Sequence, residues 1–219
     1  MDINQLSKEY NTPLVRTLIK LIPIVGSFLD LTISNEFEKA KIKRLRSFFS
    51  KLENGNLDLT DEIINNDQFL YCYFKTINSV IFTKRTEKIE YFSNLFKNAI
   101  IQSEIFISDE YEELLKILDE LSYSEIDLLL RFKKMEDNQE VKEGSNTRYE
   151  KLERNKKFFH DFGEEITKET DFDRHDLDTI YIRIERTGCM YIPRMEPNNL
   201  SPYSACTTHI FNKLFKFIM

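Results

Sequence analysis

The chain predicts an all-α, or α-dominated, fold: a helical bundle followed by a winged-helix-like unit with a small two-stranded β-wing. Three observations carry that expectation. Apolar side chains recur at helical spacing along most of the chain. Glycine and proline occur five times each in 219 residues, too few for the many tight turns of a strand-rich fold. Near the end, two short apolar runs flank the turn-rich segment EPNNLSP and sit between two amphipathic stretches, the order helix, wing, helix.

The elements follow in order. TPLVRTLIKLIPIVGSFLDLTIS, Thr12 to Ser34, is the most apolar stretch, yet its longest uncharged run, Leu21 to Leu29, has only nine residues. A spanning helix needs about 20 apolar residues. Arg16, Lys20 and Asp30 interrupt the stretch, and Pro23 and Gly26 weaken a continuous helix, so a buried or interfacial segment is expected and no transmembrane span. From Glu36 to Leu52 an apolar stripe (Phe37, Ala40, Leu45, Phe48, Phe49 and Leu52 among it) faces a basic side of Lys39, Lys41, Lys43, Arg44 and Arg46. Gly55 offers a C-terminal cap.

Thr60-Asp61-Glu62 starts a short helix, and Asn65-Asn66-Asp67 starts the next. Phe69, Leu70, Tyr73, Phe74, Ile77, Val80 and Ile81 form the latter's apolar stripe. A further helix follows Arg85, with Ile89, Phe92, Leu95, Phe96, Ala99 and Ile100 on one face, and the two form a helical hairpin. Asp109 with Glu112 approximates a capping box before Leu114, Leu115 and Leu118; Ser122 to Ser124 caps a helix carrying Ile126, Leu129 and Phe132.

Glu136 to Thr147 is the least apolar window and the expected mobile loop or domain boundary. Arg148 to Lys168 reads as a charged helix with Leu152, Phe158, Phe159, Phe162 and Ile166 inward, and Gly163 weakens its last turn. Phe172 to Arg186 is helical through Leu177, Ile180, Tyr181 and Ile184, and Thr187-Gly188 ends it. CMYIPR and Tyr203 to Thr207 form the wing strands, and the helix from Thr208 carries Ile210, Phe211, Leu214, Phe215 and Ile218. The expected organisation is a bundle over residues 1–105 and a winged-helix-like domain over residues 110–219.

Composition narrows the function. A net charge of −6 argues against a chain that works mainly by wrapping nucleic acid, where phosphate neutralisation drives binding. Cys72, Cys189 and Cys206 are odd in number and lack a CxxC pair. They read as ordinary buried, reduced thiols of a cytoplasmic protein, since MDINQLSKEYNTPLV has neither the basic start nor the apolar core of a signal peptide. The five glycines are too far apart to cradle a nucleotide.

His160-Asp161 and His175-Asp176 each offer a general base or metal ligand. The cluster Asp171, Asp173, His175, Asp176 and Asp178 is rich in oxygen but lacks the glycine and closing glutamate of a calcium loop. It reads as an acidic helix start. Cys189 and His209 act as nucleophile and base only if the fold joins them. No catalytic, cofactor or metal site is expected.

Two stretches carry a resemblance. IPIVGSFLDL, Ile22 to Leu31, the basic helix after it, and TEKIEYFSNLFKNAI, Thr86 to Ile100, resemble a loose group of uncharacterised bacterial and prophage helical proteins, whose members often sit among phage-defence or abortive-infection genes. LDTIYIRIERTGCMY and the tail HIFNKLFKFIM are similar to the end of a winged-helix domain, with Ile184 to Gly188 in the turn before the wing. The resemblance implies a bacterial or prophage setting and brings no active-site residue.

The leading expectation is a non-enzymatic interaction protein working through a protein partner or self-association. Ile24, Phe28 and Leu29 are its candidate docking or membrane-surface contacts. A DNA-binding regulator would use Arg174, Arg183, Arg186 and Arg194, although Asp171, Asp173, Asp176 and Asp178 at the same helix start repel phosphate. A membrane-active toxin would use the apolar N-terminal segment.

Overall fold

The computed structural model describes residues 3–22, 35–53, 60–102, 109–138, 148–170, 172–192 and 205–219. The fold is α-dominated: eleven helices and one two-stranded antiparallel sheet among the described residues. The chain divides into two compact units, Met1–Asp119 with Lys216–Met219, and Glu120–Phe215.

The first unit opens with α1 (Ile3–Lys8) and α2 (Pro13–Leu21). Pro13 at the first turn of α2 suits a position whose N–H has no helical partner. Leu14, Val15, Leu18, Ile19 and Ile22 are buried, which shows the first part of the apolar N-terminal stretch acting as core. The turn between these helices is held by α3 (Asn35–Glu53): Glu53 Oε1 accepts from Asn11 N at 2.7 Å and Thr12 N at 3.3 Å, and Tyr10 Oη donates to Arg46 O at 2.9 Å.

After α4 (Asp61–Ile64), the side chain of Asn66 accepts from Gln68 N and Phe69 N and so starts α5 (Asp67–Phe82). α3 packs along both α5 and α6 (Lys88–Ile101). Their shared core is aromatic: the Phe96 ring lies 6.1 Å from Phe48, 5.8 Å from Phe69 and 5.7 Å from Tyr73.

α7 (Glu110–Glu120) belongs to this unit and not to the second, so the division falls after it rather than between residues 105 and 110. The reason is burial. Tyr111 is fully enclosed against Phe96, and its hydroxyl lies 2.5 Å from Thr76 Oγ1. Thr76 Oγ1 already donates to Cys72 O at 2.8 Å, so the proton between the two hydroxyls comes from Tyr111. Lys88 Nζ donates to Asp119 O at 3.0 Å. The last residues group here as well, because Asn98 Nδ2 and Asn94 Nδ2 donate to the carbonyls of Phe217 at 2.7 Å and Ile218 at 2.8 Å.

The second unit starts with α8 (Tyr123–Asp137), capped by a complete box of Ser122 and Glu125. α9 (Arg148–Glu169) continues through Gly163 without a break, and Phe158 and Phe162 stand edge-on to Phe132 at 5.2 and 5.0 Å. The polar window does not divide the units, since the described residues on either side of it both belong to the second. Asp173 and Asp176 form a second capping box at the start of α10 (Arg174–Arg186).

Gly188 then takes φ +75°, the left-handed turn that other residues avoid, and leads into β1 (Met190–Tyr191). β1 pairs with β2 (Cys206–Thr207), placing Met190 opposite Thr207 and Tyr191 opposite Cys206. Glu136 anchors the wing by accepting from Thr207 Oγ1 and from Thr207 N. α11 (His209–Ile218) closes the chain. It buries Phe211, Leu214, Phe217 and Ile218, whereas Phe215, expected inward, is half-buried.

Candidate interaction surfaces

α5 buries Phe69, Cys72, Tyr73, Thr76, Ile77 and Val80 on the side that meets α3 and α6. Its opposite side is not polar. Tyr71, Phe74 and Phe82 are 47%, 38% and 65% exposed and, with Lys75 and Asn78, follow one helical row. Phe74, expected in the buried stripe, therefore lies on the outer face. The apolar arc of α5 is wider than the side its neighbours cover, and side-chain period alone cannot say which edge stays open.

The face is held in place by its rims. Tyr71 Oη donates to Glu112 Oε1 at 3.0 Å; Lys75 Nζ reaches the same oxygen at 3.5 Å and sits 5.2 Å over the Tyr71 ring. The Phe82 ring leans on Phe37 at 6.0 Å. Lys84 and Arg85 are exposed just beyond the helix.

The basic side of α3 is largely occupied by the protein itself. Lys39 pairs with Glu36 at 2.7 Å, Lys41 stands 3.9 Å from Glu38, and Arg46 pairs with Glu9 at 2.8 Å. The hydrogen bond from Arg46 holds the Glu9 carboxyl below the usual carboxylate range. Arg44 Nη1 donates to Ile81 O at 2.6 Å. Most of the basic side chains on this side of α3 thus engage acceptors within the first unit.

The second candidate face is the outer side of α10. Of its candidate DNA contacts, Arg183 donates from Nε to Glu125 Oε1 at 2.8 Å, and Arg186 is exposed. Glu125 is only 3% exposed, and its other oxygen accepts from Ser122 N at 2.6 Å. Arg183 therefore completes the coordination of a buried carboxylate. The side chain of Arg174, and Arg194, lie outside the described residues, as do Ile24, Phe28 and Leu29. Ile182, which lies off the period of the buried stripe Leu177, Ile180, Tyr181 and Ile184, is 65% exposed between Asp178 and Arg186.

The acidic cluster has a structural role. Asp176 N donates to Asp173 Oδ1 at 2.8 Å, and Asp173 N donates to Asp176 Oδ2 at 3.1 Å. Among the described residues no group of three His, Cys, Asp or Glu side chains is placed to hold a metal ion, and no helix is long and apolar enough to cross a membrane.

His160 and Asp161 stand 3.6 Å apart, both well exposed. Burial pushes the Cys189 thiol up to about 11, the reverse of what a thiolate nucleophile needs, and His209 is exposed at the start of α11. Cys72 is also buried and pushed up to about 11, whereas Cys206 is exposed on the wing and not buried as its type suggests. Comparison with family models, with curated proteins and with solved structures finds no match for this chain.

Proposed function

We propose that this chain is a non-enzymatic interaction protein that works through protein contacts, with the outer face of α5 as a docking surface. The observation that carries the reading is the row of Tyr71, Phe74 and Phe82 left open on a helix whose other side is fully packed. Large aromatics supply much of the energy at protein interfaces when a partner desolvates them. Lys84 and Arg85 at one end favour a partner segment that carries carboxylates beside its apolar anchors. The bacterial or prophage setting, phage defence included, rests on the resemblance of Ile22 to Leu31 and Thr86 to Ile100.

The test is a pull-down from the native host with the wild-type chain and with the double variant Phe74→Glu, Phe82→Glu. The variant is expected to lose the captured partner while remaining folded by circular dichroism, at some cost in melting temperature, since Phe74 packs on Tyr73 and Phe82 on Phe37. A variant that captures the same partner at the same level overturns the reading.

A DNA-binding regulator is the second reading, supported by the helix-strand-strand order of α10, β1 and β2. The exposed Asp173, Asp176 and Asp178 and the internal pairing of Arg183 weigh against it. Salt-dependent binding to duplex DNA that is lost in Arg186→Ala would favour it over the first.

A further inference from the structure

We propose that the outer face of α10 is a self-association surface, pairing antiparallel with α10 of a second copy of the chain about a two-fold axis at Ile182. This inference does not use the α5 face. Asp178, Ile182 and Arg186 are four residues apart and all exposed, Ile182 by 65%. At 1.5 Å per residue they form one row about 12 Å long: a negative end, an apolar centre and a positive end.

Such a row is complementary to itself only when reversed. A two-fold axis beside Ile182 sets Asp178 against Arg186 of the second copy, Ile182 against Ile182, and Arg186 against Asp178. Rows of residues four apart are the ridges that lie alongside one another when helices pack at about 50°. A two-fold contact uses the same patch on both partners, so each favourable pair occurs twice. Parallel pairing would oppose like charges at both ends. Arg183, already bound to Glu125, lies at the margin of this row and is not required.

The acidic end of the row, Asp178, disfavours duplex DNA as the occupant. A protein face with acid at one end and base at the other is the complement, and this chain supplies one.

Sedimentation equilibrium on the full chain tests the proposal. The wild type is expected to show a concentration-dependent dimer that weakens as salt is raised. Asp178→Arg and Arg186→Asp, made singly, oppose like charges twice in each homodimer and should raise the dissociation constant at least about tenfold. Two further results are specific to the register. The double variant D178R/R186D restores both pairs and should dimerise like the wild type. An equal mixture of the two single variants also restores both pairs and should associate although neither does alone, which a folding defect cannot produce.

A wild type that stays monomeric at its highest soluble concentration in low salt overturns the proposal. So does a dimer indifferent to the single reversals, or one that neither the double variant nor the mixture restores. The Phe74→Glu, Phe82→Glu variant should dimerise normally, so failure at α5 and failure at α10 are told apart.

Discussion

Arg183 Nε stands 2.8 Å from Glu125 Oε1, tying the exposed side of α10 to the nearly enclosed first turn of α8. The two ends of this pair differ sharply in burial, with Arg183 51% and Glu125 4% exposed at their side chains. The arginine can be replaced by water only poorly, because the carboxylate it satisfies cannot turn outward while Ser122 N holds its other oxygen.

Arg183→Ala should therefore destabilise the second unit, by about 1–2 kcal/mol, through a buried acceptor left with one fewer donor. Arg186→Ala, with no such duty, should change stability by less than about 0.5 kcal/mol. Urea denaturation of the two variants checks this. Equal midpoints would mean that the pair contributes nothing in solution.

Ser122→Ala removes the acceptor that Glu125 N meets at 3.2 Å and loosens the carboxylate that reaches back to Ser122 N. The expected loss is about 1 kcal/mol, the usual value for an N-cap of this type. Combined with Arg183→Ala, the losses should not add, because both changes release the same Glu125 side chain. A double-mutant cycle read by chemical denaturation measures the coupling, and strict additivity would count against a shared role for Glu125.

Alkaline pH should weaken the fold before it affects most surface charges. Burial raises the Cys72 and Cys189 thiols from the ordinary 9.0 to about 11, and raises Tyr10 from 10.0 to about 12. A raised folded-state value means that the folded chain keeps a proton the unfolded chain has released. The stabilisation is complete below pH 9 and is lost as pH climbs through about 11 for the thiols and about 12 for Tyr10. Thermal melts across this window should show Tm falling by about 5 °C per pH unit. Replacing both buried cysteines with alanine should flatten the early part of that fall.

Local signals in the chain determined where helices begin and end. Asn66, Ser122 and Asp173 each carry a side chain that accepts from the backbone N–H of the second or third residue of the following helix, and Gly188 supplies the left-handed turn after α10. These are short-range effects, set by neighbours within one helical turn, and so they are visible in a linear reading. The inward stripe of α6, Ile89 through Ile100, and the order of helix, wing and helix follow from period in the same way.

Only the tertiary structure decided which polar groups are used up and which apolar ones are not. The basic stretch of α3 is engaged in part by the carboxylate of Glu9 and by the carbonyl of Ile81, residues remote in sequence. Tyr111 carries α7 into the first unit through Thr76 and Phe96, and Asn94 and Asn98 reach the carbonyls of Ile218 and Phe217. Phe74 shares the period of the buried stripe of α5 yet faces outward. Periodicity reports what a residue is; coverage depends on which distant element arrives to pack against it, and that is a property of the folded chain alone.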